Sequence, residues 1–394
     1  MVPVVLLGGL NIVRALGMAG IPVVIASPER GKPSMASRYC TATLALPPLA
    51  ERDAVIEALA REGRRLAALH GAKPPLFYDN DDRLELVQDH RAALAPHFAL
   101  LLNEPALGEA LLDKSRFQDL AERLGLPAPR RIGREALQAE AGPVLLKPKL
   151  RTAWDHSSVR LQLFGGAGKA RVFASGREAW ADPLVRRLAD QLSFQEYIPG
   201  GDDAIWSFHG FAAPGGEVLA SFIGRKIRTF PAHTGDSCYL RLADDEGLAA
   251  LGRDIAARLS LAGVFKMDFK RSAASGRFHL LEVNTRFNLW HYLGAANGVN
   301  LPRVAYDFMV WNTRPAHAVA RTRYRWVDMA LDWRAYRELR DAGALSTARW
   351  LWSLAQAPKV YDLFSWRDPL PLLSELRARA ARIPRRFRRM LSAA

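Results

Sequence analysis

Cysteine is scarce: Cys40 and Cys238 are the only two in 394 residues, and they lie far apart. Two cysteines are too few for a cysteine-rich zinc site or a disulfide scaffold, and their scarcity fits a reducing, cytoplasmic setting. Long apolar runs are also missing. No stretch approaches the roughly 20 uninterrupted apolar residues that a membrane helix needs. Val2 to Leu7 is apolar but has no basic flank and runs into Gly8-Gly9, so it reads as a strand rather than a signal peptide. There is no internal repeat and no low-complexity tract, which sets aside solenoid and disordered chains. Neither a G-x-S-x-G motif nor a Cys/His pair stands out as a sign of serine or cysteine nucleophile chemistry.

What is present describes a globular chain. About half the residues are apolar and 24% are charged, and 394 residues exceed what one core usually organises, so two or three domains are expected. The formal charge of +15 is uneven: from Arg314 onward 17 Lys/Arg face 7 Asp/Glu, a net +10, which leaves +5 for the first 313 residues.

Strand, Gly8-Gly9 turn, helical pattern (Ile12, Leu16, Ala19) and a second apolar run (Ile21 to Ala26) make the opening of a Rossmann-like βαβ unit. The turn is not a full G-x-G-x-x-G, and close helix–strand packing accounts for its glycines. A helix over about Glu51 to His70, a short strand Pro75 to Tyr78 and the polar turn Asp79-Asn80-Asp81-Asp82 follow. The acids of that turn suit helix N-caps or a ligand contact. Leu107 to Leu124 reads as one helix, closed by Gly125 and Pro127. Strands are expected at Val144 to Lys147, Leu192 to Ile198, Trp206 to Ala212, Glu217 to Arg228, Gly263 to Arg271 and Phe278 to Thr285. Gly247 to Leu259 reads as an amphipathic helix.

The strongest chemical signal is the hairpin Val264-Phe265-Lys266-Met267-Asp268-Phe269-Lys270, a Ser/Gly turn, then Leu281-Glu282-Val283-Asn284-Thr285-Arg286. Strand alternation puts Lys266 and Asp268 on one face, with Glu282, Asn284 and Arg286 on one face of the partner strand. Phe265, Met267, Phe269, Leu281 and Val283 supply the packed side. Two carboxylates and an amide make a hard-oxygen set that suits Mg²⁺ completed by water and substrate phosphates.

These residues resemble the ATP-grasp superfamily. Asp268 followed by Glu282-x-Asn284 is similar to its metal-binding hairpin, and the likeness continues upstream in order. Lys114, in Leu111-Leu112-Asp113-Lys114-Ser115, and Lys147, in Val144-Leu145-Leu146-Lys147-Pro148, resemble its two ATP-binding lysines. Gln195-Glu196-Tyr197-Ile198-Pro199-Gly200 resembles the hinge, which implies adenine contacts from the Glu196 carboxylate and the Tyr197–Ile198 backbone. Asp203 matches an acid that holds the ribose hydroxyls. Lys226 reaches the γ-phosphate in this reading, since Arg225 points the other way on the strand. The glycine-rich phosphate loop is replaced by Arg151 to Ser158, where Ser157 and Ser158 are left to donate to phosphate.

The resemblance covers about residues 105 to 312 and is strongest to carboxylate–amine ligases near D-aspartate ligase. It implies ATP and two Mg²⁺ ions (Mn²⁺ being an alternative) at Asp268, Glu282 and Asn284, an acyl-phosphate intermediate, and Lys266 and Arg286 stabilising the oxyanion and leaving phosphate. The substrates implied are a small carboxylate and an amine, such as an amino acid or peptide. The alternatives are an ATP-dependent carboxylase of the biotin carboxylase or carbamoyl phosphate synthase type, which would share the hairpin, and a non-catalytic ATP-binding protein, which would keep ATP binding without releasing phosphate. His233 and His291 stand among loops, Thr229 to Ser237 and Phe287 to His291, read as the acceptor end; with His279 they are otherwise structural.

The expected fold class is α/β and α+β, in four units: a Rossmann-like domain (1–105), an ATP-grasp small lobe with hinge (106–204), a large lobe with the metal hairpin (205–313) and a basic helical C-terminal extension (314–394). The last segment, Leu373 to Leu391, sets arginines around apolar residues and suits contact with an anionic membrane, at its inner face. Nucleic acid is not an expected partner, and an oligomer is compatible with the composition.

Overall fold

The computed structural model describes residues 1–149, 162–163, 170–232, 235–315 and 320–391, of which 202 and 382–391 are described through their backbone alone. Among the described residues fourteen strands form three sheets. The first sheet has the order β3-β2-β1-β4, from β1 (Val4–Leu7), β2 (Val23–Ser27), β3 (Cys40–Ala45) and β4 (Leu76–Tyr78), and every pairing is parallel. Its apolar residues alternate between two covered faces. Val5, Leu7 and Val24 pack with Val55, Leu59 and Leu66 of the helix Arg52–His70, whereas Val4, Leu6 and Ile25 pack with Ile12, Val13 and Leu16 of the helix Leu10–Met18. Burial on both faces is the usual state of a parallel sheet and explains the continuous apolar runs.

The second sheet is small: β6 (Arg171–Phe173), β5 (Val144–Pro148) and β7 (Leu192–Glu196), all antiparallel. Its core joins Val144, Leu146, Phe173 and Phe194 to Leu137, Ala179 and Val185. The third sheet has seven strands in the order β12-β11-β8-β9-β10-β13-β14. Here β8 is Ile205–Ala212, β9 Val218–Phe230, β10 Asp236–Ala243, β11 Gly263–Arg271, β12 Phe278–Asn284, β13 Arg325–Val327 and β14 Lys359–Tyr361. One face, carrying Phe208, Phe265, Met267 and Phe269, is covered by the helices Lys114–Arg123 and Glu246–Arg258. The other face packs in part, through Phe222, Leu240 and Val264, against the helices Trp290–Ala296 and Leu301–Trp311, and its remainder, with Lys266 and Asp268, lines the site.

Several expectations need correction. Leu107 to Leu124 is two helices, Pro105–Leu112 and Lys114–Arg123, because the Asp113 carboxylate accepts from the Ser115 and Arg116 amides and starts a new helix. The segments read as loops at 229–237 and 287–291 carry regular structure at their ends: β9 runs to Phe230, β10 starts at Asp236, and a buried helix spans Trp290–Ala296. Strands β3, β6, β10, β13 and β14 went unread, being short or broken by polar residues.

The basic C-terminal residues hold more than helices. Strands β13 and β14 extend the large sheet, and the helices Met329–Asp341 and Thr347–Ala355 pack on it through a buried bidentate pair. Arg228 Nε and Nη2 lie 2.7 and 3.0 Å from the Asp332 carboxylate, which also accepts from Trp350 Nε1 at 2.8 Å. A second buried pair ties this region to the first sheet. Arg14, on the helix Leu10–Met18, reaches Asp368 at 3.0 Å and donates to the carbonyls of Tyr361, Asp362 and Leu363. Asp368 also accepts from Ser37 Oγ and the Arg38 amide.

Candidate active site

The small and large sheets face each other across a cavity of about 970 Å³. Its inner walls are apolar: Leu145 and Val172 from the small sheet, Ile198 from the connection, and Ile205 and Leu281 from the large sheet. A flat aromatic group slides between such walls without leaving polar atoms unpaired. At one end the walls become charged, with Lys114, Lys147, Lys226, Lys266, Lys270 and Arg286 around Asp268, Glu282 and Asn284.

The β11–β12 register sets this cluster. Asp268 pairs directly with Glu282, and Lys266 with Asn284. A bulge follows, with Leu281 as the extra residue on β12, and the ladder resumes at Phe269 opposite Leu280, both fully buried. Two carboxylates opposite each other in a ladder repel unless cations lie close by. Lys266 Nζ is 2.6 Å from Asp268 Oδ2, and Ser207 Oγ, on the adjoining strand, donates to Asp268 Oδ1 at 2.5 Å. Asn284 Nδ2 donates to Glu282 Oε1 at 3.1 Å. Burial raises the Glu282 carboxyl, but Lys266 and Lys114, a hydrogen bond with Asp268, and Lys147 outweigh it and hold the group well below the usual carboxylate range. Glu282 is therefore an anion at neutral pH.

Among the described residues no three His, Cys, Asp or Glu side chains gather into a metal cluster. The oxygen set is thus two carboxylates and one amide, unlike the nitrogen and sulfur ligands of a structural zinc site. It fits Mg²⁺, which keeps several waters and shares its coordination with phosphate.

The lysines arrive from three elements. Lys114 opens its helix, and its amide donates to the Lys149 carbonyl at 3.2 Å, beside the end of β5. Lys147 points inward from β5, where burial, and next the Lys114 charge, lower its ammonium to about 8. Lys226 lines the cavity from β9, while Arg225 turns away, donating to the Asp203 carbonyl at 2.6 Å and stacking over Trp206. Beside it, Gly224 allows Trp290 to approach, since a Cβ there would lie 2.2 Å from the indole ring.

Arg286 lines the cavity but already holds partners. It forms an ion pair with Asp81 and donates to the Asp79 carbonyl at 3.2 Å. The acids of the 79–82 turn thus tie the first sheet to the hairpin. Asp79 Oδ2 accepts from the Gly9 amide at 2.6 Å, and Asn80 is the helix N-cap, accepting from the Arg83 amide at 2.9 Å.

Of the hinge residues, Tyr197 and Ile198 line the cavity and Lys270 Nζ sits 4.5 Å from the Tyr197 ring centre. Glu196 does not line it. Strand alternation on β7 turns its side chain outward, where it accepts from the Arg130 amide at 2.8 Å, and turns Gln195 inward instead. Asp203 is exposed and is likewise absent from the lining. Ser157, Ser158 and His233 lie outside the described residues. His291 is buried behind the site, its Nδ1 accepting from the Asn288 amide at 3.1 Å. Burial, then Arg286 and Lys266, push it down to about 3, so it stays neutral. Sequence reasoning missed Lys270, Ser207 and Gln195. The first follows from extending the Lys266–Asp268 alternation by one step; the other two needed sheet order or strand phase.

No family model matches the chain. It is similar to D-aspartate ligase from Enterococcus faecium, 23% identical over 280 residues that cover 66% of this chain and 65% of that protein. It is also similar to D-alanine–D-alanine ligase from Xylella fastidiosa, 27% identical over 52% of this chain and 68% of the relative. The match to the first relative thus spans just under two thirds of its length. Among solved structures, biotin carboxylase from Campylobacter jejuni, in complex with β,γ-ATP, superposes with a TM-score of 0.58 at 14% identity, covering 80% of this chain and 72% of that one. The fold is that of the ATP-grasp enzymes, and the resemblance to their carboxylate–amine ligases rests on the two relatives.

Proposed function

We propose that this ATP-grasp chain is an ATP-dependent carboxylate–amine ligase that joins its substrates through an acyl phosphate and releases ADP and phosphate. The observation that carries the reading is the cavity itself, with its apolar slot between two sheets ending in paired carboxylates ringed by lysines. In this reading the purine occupies the slot beside Gln195, Tyr197 and Ile198. Lys114, Lys147 and Lys226 hold the phosphates, and Asp268, Glu282 and Asn284 hold two Mg²⁺ ions. Mg²⁺, when bound, neutralises phosphate charge and aligns the oxygens for transfer. The substrate carboxylate attacks the γ-phosphorus, ADP departs, and an amine then displaces phosphate from the acyl carbon.

Lys266 offers its charge to the departing phosphate from its seat beside Asp268. Arg286, oriented by Asp81, stabilises the oxyanion of the tetrahedral step. The four units 1–105, 106–204, 205–313 and 314–394, the first of them Rossmann-like, belong to the same proposal. An amino acid or peptide is the proposed substrate class. Among the described residues no helix is long and apolar enough to cross a membrane.

The test is an ADP-release screen over paired small carboxylates and amines, with Glu282→Ala as control. Pair-dependent ADP release, and capture of the acyl intermediate as a hydroxamate by hydroxylamine, are expected from the native chain. Loss of about 10²-fold or more in turnover is expected for Glu282→Ala. Undiminished turnover in that variant would remove the metal assignment. ADP release stimulated by bicarbonate alone would assign a carboxylating reaction instead.

A further inference from the structure

The helix Leu370–Leu391 is anchored near its start, and Leu373, Leu376 and residues 379–381 are exposed. Near its start Pro371 is buried, and the helix rests on the short turn Pro33–Ala36. Leu370, Leu373 and Leu376 are nevertheless 50, 44 and 51% exposed, and Trp366, just before the helix, is 88% exposed. Leu373, Leu376 and Ala380 share one stripe, and the sequence continues that stripe through Ile383, Phe387 and Leu391 at the same spacing of three and four. Arginine is the most frequent polar residue of the helix. Seven stand in the helix against one acid, Glu375, which already pairs with Arg379 at 2.6 Å. In the sequence Arg379, Arg382, Arg386 and Arg389 recur at spacings of three and four.

We propose that this helix, with Trp366 at its base, docks in the plane of an anionic lipid surface. A lipid interface covers both halves of the pattern: acyl chains take the leucine stripe and the indole, while anionic headgroups take the arginines on either side. A second copy of the chain would cover the leucines but bring one arginine flank against another. A nucleic acid would take the arginines and leave Trp366 and the leucines in water. Charge complementarity therefore favours lipid. This surface stands apart from the cavity, and its test needs no turnover.

The experiment is co-sedimentation of the full chain with vesicles of phosphatidylcholine alone or mixed with phosphatidylglycerol. Binding to the anionic vesicles at least about tenfold stronger than to neutral ones, and weakening with salt, is expected. Leu373→Ser with Leu376→Ser removes about tenfold of partitioning per leucine and retains the salt dependence. Arg377→Glu with Arg379→Glu weakens binding and flattens the salt dependence. Circular dichroism and melting temperature identify any variant that has simply failed to fold. Three results overturn the proposal: no partitioning, leucine variants that bind as the native chain does, or a native dimer that the leucine variants dissolve while vesicle binding stays absent.

Discussion

Lys147 gives the site a pH signature that can be measured. Burial, and then the adjacent Lys114 charge, lower its ammonium to about 8. A triphosphate in the cavity supplies the counter-charge and restores the ordinary lysine value of about 10.4. At pH 8 about half the free sites then carry a neutral amine, so nucleotide binding takes up about half a proton, rising to about 0.9 at pH 9. ATP affinity falls as pH rises above 8, approaching about tenfold per unit before it levels off near the restored value. The stability contribution runs the other way. A lysine whose folded value lies below its unfolded value leaves the native state with fewer bound protons between about pH 8 and 10.4, so this contribution to stability rises with pH across that window. Calorimetric titration with Mg²⁺ and a non-hydrolysable ATP analogue, in two buffers of different ionisation enthalpy at pH 8.5, reads the uptake directly. Lys147→Arg keeps the charge and cannot titrate there, so it abolishes the uptake. Equal uptake in the native and Lys147→Arg proteins, or none in either, would refute this account of the phosphate end.

Two further predictions test the strand phase of β7 and the buried tie between the first sheet and the C-terminal residues. Gln195→Ala weakens ATP binding by about tenfold, the loss of one buried hydrogen bond, whereas Glu196→Ala stays within about twofold; equilibrium binding of a fluorescent ATP analogue compares them, and the reverse order would return the adenine contact to Glu196. Asp368→Ala strips the partner from Arg14, which is 1% exposed, and destabilises the fold by about 3–5 kcal/mol in urea unfolding. A change below about 1 kcal/mol would show the pair to be dispensable.

The hairpin was legible because its information is local. Alternation alone separates Phe265, Met267 and Phe269, which are buried, from Lys266, Asp268 and Lys270, which line the cavity. The same rule put Lys226 inside and Arg225 outside. At β7 alternation had no phase to work from, and the choice of Glu196 rests on the resemblance of the hinge segment. Gln195 and Glu196 are adjacent polar residues at a strand end, and nothing in the chain says which one faces inward until β5 pairs Leu145 with Gln195 and Val144 with Glu196.

Longer-range facts had no local carrier. Arg286 carries an obvious charge, but its partner Asp81 lies 205 positions earlier, and only docking of the parallel sheet on the hairpin joins them. Arg14 and Asp368, 354 positions apart, make a buried pair for the same reason. The amino-acid sequence by itself determined which residues alternate, where Gly125 closes a helix, and which side chains are chemically able to hold phosphate and Mg²⁺. Tertiary structure alone decided which of these face one another. Contact between distant segments depends on how whole sheets pack, and packing is set by the sum of many apolar surfaces rather than by any short run of residues.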